Sequence, residues 1–71
     1  MDLISRLRDE YRELECKIAS LYMFIESEDF FETLHEQQGL LKIQLGVMRS
    51  YSLVLQLRIN SLESVVNEKT P

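Results

Sequence analysis

Leu34, Leu41, Met48, Leu55 and Leu62 stand seven residues apart and form an unbroken apolar column through the second half of the chain. A matching ladder, Ile4, Leu7, Tyr11, Leu14, Ile18, Leu21 and Ile25, runs through the first half in alternating steps of three and four. That spacing keeps one stripe of an α-helix apolar and buries it against another helix. The fold expected is all-α: an antiparallel hairpin of two long, heptad-patterned helices that assembles into an oligomeric helical bundle.

Seventy-one residues make one domain at most, of a size at which a single apolar core is marginal without reinforcement. The single cysteine, Cys16, excludes an intrachain disulfide. One Cys and one His (His35) leave no four-ligand zinc site without carboxylates. Neither a metal nor a cofactor is expected, and self-association is the reinforcement that remains. Met1 is followed by Asp2, with no basic segment leading into an apolar run, so no signal peptide is expected. The longest apolar run, Leu21 to Ile25, is far too short to span a bilayer. A cytoplasmic location follows, in keeping with an unpaired thiol. The formal charge of −4 and the scattered basic residues argue against direct binding to nucleic acid, which needs clustered Lys and Arg.

The hairpin is expected over 1–66. Its first helix covers about 2–27, with Asp2 as N-cap and no Gly or Pro inside. Near its end Tyr22, Met23 and Phe24 widen the apolar face beyond what one partner helix covers. The linker 28–33 is acidic, can hold a short helical turn, and carries Phe30 and Phe31, which can fold back over the open end. Thr33 and Glu36 fit a capping box for a second helix over about 34–66. A frayed tail over 67–71 is expected.

The second helix has a second apolar face, formed by Leu40, Ile43, Val47, Val54 and Leu57, well around the cylinder from the Leu55 column. A helix apolar on two sides is an interior helix, and a two-helix hairpin has no interior. This face, with Gly46, Ser50 and, on the first helix, Phe24, is therefore the expected oligomer interface. Gly39 and Gly46, one heptad apart on that side, suggest a close helix crossing. A glycine in mid-helix otherwise costs about 0.5–1 kcal/mol relative to alanine.

For catalysis the chain offers little. His35 lies beside Glu36, but no nucleophile or metal set stands at a suggestive spacing. Cys16 has Arg12 one turn before it and reads as an ordinary helical cysteine. There is no glycine-rich phosphate loop, and the chain is read as a non-enzyme with no catalytic residue. The polar stripe Gln37, Gln44, Tyr51 and Arg58 runs alongside the Leu41, Met48 and Leu55 column, again at intervals of seven. It reads either as the edge of a coiled-coil seam that fixes register, or as the lining of a ligand pocket between subunits. In such a pocket Tyr51 would stack a planar ring and Arg58 would fork onto a phosphate or carboxylate. Tyr11 can add ring surface.

A resemblance rests on two runs. One is Glu10-Tyr11, Leu14, Lys17-Ile18, Leu21, Phe24-Ile25, Ser27 and Phe30. The other is Glu36-Gln37, Leu40-Leu41, Gln44, Met48, Tyr51, Leu55 and Arg58-Ile59. Together they resemble a family of short, uncharacterised phage and prophage proteins related to a protein of a crAss-like phage, and Gln44, Met48, Tyr51 and Arg58 are the discriminating set. The resemblance implies a small bacteriophage product acting in the infected bacterial host. By analogy with other small oligomeric phage proteins, its role would be to bind and sequester or block a host component. That component would be a nucleotide-like small molecule or a host defence protein, which would make the chain an anti-defence factor. The alternative is a structural or assembly module of a larger phage or host complex.

Overall fold

The computed structural model describes residues 2–68, with side chains placed through residue 65. Three helices follow one another: α1 (Leu3–Ile25), α2 (Glu28–Glu32) and α3 (His35–Glu68). Among the described residues there is no strand. The chain is a rod of 58 × 17 × 16 Å, its long dimension close to the ~51 Å that a 34-residue helix spans at 1.5 Å per residue.

Asp2 caps α1 as expected: its carboxylate accepts from the Ser5 N–H at 2.7 Å. This satisfies one of the orphan donors of the first turn. It also holds the Asp2 carboxyl below its ordinary pKa, because the Ser5 hydrogen bonds favour the charged form. α1 stops at Ile25. The Glu26 and Ser27 N–H groups return to Tyr22 O at 3.1 Å and Phe24 O at 3.0 Å, and the Ser27 hydroxyl donates to Phe24 O at 2.6 Å. Ser27 then stands at the start of α2, a five-residue helix inside the linker.

The cap of α3 differs from the expectation. Thr33 closes α2 instead: its N–H donates to Phe30 O at 3.1 Å and its hydroxyl to Asp29 O at 3.2 Å. The first α3 bond runs from Gln38 N–H to Leu34 O, so Leu34 holds the N-cap position. The amide of Gln38 reaches back from the first turn and donates to Thr33 O at 2.9 Å, which ties the linker to α3 without capping the N–H groups of its first turn. The reason is register: Thr33 is the C-cap of α2, so α3 starts one residue later, with Leu34 rather than Thr33 at its N-cap. Leu34, displaced from the helix, is 76% exposed and leaves the apolar column it was expected to head. At the far end α3 continues through Asn67 and Glu68; of the tail expected over 67–71, residues 69–71 lie outside the described residues.

The seam between α1 and α3 matches the two ladders. Leu7, Ile18, Leu45, Leu55 and Ile59 are buried, with Leu55 wholly enclosed. Tyr11, Leu14 and Leu62 pack around Leu7, Leu55 and Ile59. Burying a leucine of this kind is worth about 1.5–3 kcal/mol. Antiparallel pairing is fixed at both ends. Arg8 of α1 forms an ion pair with Glu63 of α3, and the Arg49 guanidinium lies 5.5 Å over the Tyr22 ring. Beyond the end of α1, α2 covers the start of α3. Phe30 is buried there, edge-on to Phe24 at 6.2 Å and 5.6 Å below the Lys42 ammonium, while Phe31 stays exposed.

Candidate functional site

The heptad interval sets Gln37, Gln44, Tyr51 and Arg58 on one flank of α3, rising about 10.5 Å per step. All four are exposed, as a binding surface requires. Gln44 donates weakly to the Met48 sulfur at 3.8 Å. The Tyr51 hydroxyl donates to a carboxylate oxygen of Glu10 on α1, which pins the ring across the groove between the helices. Glu10 raises the Tyr51 phenol above its ordinary pKa, since the hydrogen bond and the carboxylate charge both disfavour phenolate; Arg58 opposes this weakly. Tyr51 therefore keeps its proton, and its hydroxyl is held at Glu10.

Arg58 has no carboxylate within ion-pair distance among the described residues. It stands on the rim of an open, mostly apolar groove of about 410 Å³, lined with Leu3, Val54, Leu57, Ser61 and Leu62. A guanidinium beside apolar walls suits a ligand that joins a flat apolar part to an anionic group.

Tyr11 is not part of this flank. It is half-buried in the seam, its hydroxyl directed to Glu15 and Ser52, and Glu15 raises its pKa. Glu10 and Glu15 lie five residues apart, about 140° around α1, so the two tyrosines serve opposite sides of the hairpin. The buried Ser52 hydroxyl, which donates to Glu15 at 3.0 Å, belongs to that second side. Glu10, the partner of Tyr51, and the groove residues Leu3 and Ser61 are the site residues that sequence reasoning did not assign. Placing Glu10 beside Tyr51 needed the antiparallel register, which depends on how the linker folds.

The expected interface residues Leu40, Ile43, Gly46, Val47, Ser50, Val54 and Leu57 are all exposed, and Val54 and Leu57 share their groove with Leu3 at the start of α1. Ile43, Val47, Val54 and Leu57 leave 64%, 63%, 48% and 57% of their surface open. Phe24 stands apart from them, at the end of the hairpin against Phe30. A β-carbon built on Gly39 or Gly46 would meet nothing within 4 Å, so no crossing inside this chain requires either glycine.

Among the described residues no group of His, Cys, Asp and Glu could hold a metal ion, and no helix is long and apolar enough to cross a membrane. Cys16 is a free, exposed thiol. Compared with known proteins, the chain matches the model of the Sequestin family over residues 1–61 and belongs to that family. No curated protein and no solved structure matches it.

Proposed function

We propose that this Sequestin-family chain is a non-catalytic binding protein, working as a homo-oligomer, that sequesters or blocks a component of the bacterial host. The family name is consistent with sequestration. Phage origin and an anti-defence role rest on the resemblance of the Gln44, Met48, Tyr51 and Arg58 set. The observation that carries the reading is the state of Arg58: an exposed guanidinium without a carboxylate partner among the described residues, on the rim of an apolar groove. With the Tyr51 hydroxyl anchored on Glu10 and Arg58 two turns further along α3, the flank offers a ring surface and a fork for an anion, the groups that a nucleotide-like molecule calls for. A host defence protein presenting a carboxylate beside an aromatic ring would use the same groups.

The alternative, a structural or assembly module, draws support from the Tyr51–Glu10 bond, which can be pure architecture. The two readings separate by experiment. Arg58→Ala and Tyr51→Ala should leave melting temperature and oligomeric state nearly unchanged, while abolishing protection of phage in a host that carries the relevant defence. If both variants instead melt or dissociate the assembly, the flank is architecture.

A further inference from the structure

The exposed side of α3 carries its own heptad seam, and its register identifies what covers it. Leu40, Ile43, Val47, Ser50, Val54, Leu57 and Ser61 follow in steps of three and four, with no charged residue among them. Such an exposed seam is the surface of a coiled coil without its partner.

The exposed area of this rod-shaped chain is large enough to hold a subunit interface. The chain exposes 5656 Å². A compact monomer of 8.4 kDa exposes about 4,600 Å² by the size scaling of folded proteins. The excess, roughly 1,000 Å², is close to the ~800 Å² that each partner contributes to a standard interface.

Resting on the binding reading above, we infer that a second copy of this chain packs its α3 antiparallel on this seam, and that the binding flank is completed by that copy. In antiparallel coiled coils each residue of one heptad class faces one of the other class. One register sets Leu40 against the partner's Leu57, Ile43 against the partner's Val54, and Val47 against the partner's Ser50. The two-fold axis then repeats the three layers, giving six consecutive layers of which four are aliphatic against aliphatic. Shifting by one heptad sets Leu40 and Ile43 against serines in one direction, and Leu40 against Ser50 and Val54 against Glu36 in the other. Parallel pairing sets Ser50 on Ser50 and gives every layer a like partner, without using the glycines.

The favoured register gives Gly46 a purpose. It faces the exposed Leu53 of the partner, and the open space at its missing side chain receives that leucine.

On the other edge the flank residues of the two copies interleave. Gln44 lies opposite the partner's Tyr51, and Gln37 opposite the partner's Arg58. In this dimer the partner's Leu40 and Ile43 cover the Leu57 and Val54 wall of the groove, and the half-site is the polar flank beside it, with ring and guanidinium from one copy and two amides from the other. A single hairpin holds only half of the donors.

Thiol cross-linking in a Cys16→Ser background tests the geometry without any ligand. Glu36→Cys and Ser61→Cys stand opposite each other in this register, outside the aliphatic layers. Each lies about 37 Å along the axis from its own copy in the partner. Mixed Glu36→Cys and Ser61→Cys chains should cross-link, and neither should link to itself. With a short bifunctional thiol reagent, Gln37→Cys should link to Arg58→Cys by the same rule. Self-linking of Ser61→Cys would show a parallel pair, and no linking with sedimentation as a monomer would show an uncovered face; either overturns the inference. Failure here leaves the Arg58 and Tyr51 phage-protection test standing. Correct cross-links with unimpaired Arg58→Ala protection would overturn the binding reading alone.

Discussion

Leu55 and Val54 are neighbours in sequence that lie on opposite seams of α3, and truncating each in turn separates the core from the outer face. Leu55 is fully enclosed by Leu7 and Ile59, with Tyr11, Leu14 and Leu62 around them. Leu55→Ala removes the transfer energy of its missing carbons and leaves a cavity between two rigid helices, at a cost of about 3–4 kcal/mol. A 71-residue chain has a total stability on the order of 4–10 kcal/mol. The loss should thus lower the melting temperature by about 15–25 °C at this size. Val54, half exposed on the outer face, should lose less than ~0.5 kcal/mol on truncation in an isolated hairpin. In a dimer, Val54→Ala weakens association, so its effect grows as the protein is diluted. Circular dichroism melts of both variants at three or more concentrations measure this directly. A Leu55→Ala penalty below ~1 kcal/mol would refute the assignment of the core. Val54→Ala destabilisation that is small and independent of concentration would refute the outer interface.

Replacing Val47 and Val54 together with Glu places a charge in each of two outer layers. The double variant should sediment as a monomer or unfold; remaining folded and associated would show that this face is no interface. Thr33→Ala, which loses one hydroxyl bond to Asp29 O, should cost less than Gln38→Ala, which loses the amide bonds to Thr33 O and Phe31 O. The reverse order in chemical denaturation would restore Thr33 as the α3 cap. Glu10 holds the Tyr51 phenol above its ordinary value. That interaction stabilises the fold fully below the unfolded tyrosine pKa near 10 and is lost as pH rises through the folded one. Glu10→Gln should therefore lower the titration of one phenol, read by phenolate absorbance, and an unchanged curve would contradict the contact.

The seam of α1 was fully legible in the sequence: Ile4, Leu7, Tyr11, Leu14, Ile18, Leu21 and Ile25 all turn inward, because a period near 3.5 residues admits one solution for a helix pair. Asp2 was legible for the same local reason, a short acceptor one step before a helix. In the linker the short helical turn and the fold-back of Phe30 were legible, but the start of α3 was not. Thr33 and Glu36 have the spacing of a cap, yet packing of Phe30 against Phe24 and under Lys42 stabilises α2, which takes Thr33 as its own C-cap and starts α3 one residue later. The displaced Leu34 follows from that shift. In the candidate site, periodicity located the flank on α3, whereas Glu10 required the register between helices, which no single-helix pattern contains. Tyr11 was grouped with the flank for its chemistry, and the turn of α1 carries it to the other side.

Polar content decides whether the outer seam of α3 is a solvent face that happens to be apolar or one made for burial. Inside the hairpin, the polar member of the inner seam, Ser52, reaches Glu15 across the interface. On the outer seam Ser50 donates to the Gly46 carbonyl one turn back, at 3.1 Å. Its hydroxyl is thus satisfied before any partner arrives, and covering it strands no donor. The stretch from Leu40 to Leu57 places no charge in the seam; Arg49 lies outside it, held over Tyr22. Selection for solubility alone would set Lys or Glu at positions such as Val47 and Val54, where a lone hairpin has nothing to pack. Uncharged layers with an internally satisfied serine favour a dehydrated interface over a solvated face. In the proposed dimer Arg58 and Tyr51, at the edge of those layers, sit where two chains meet, so that ligand binding and association would be linked equilibria.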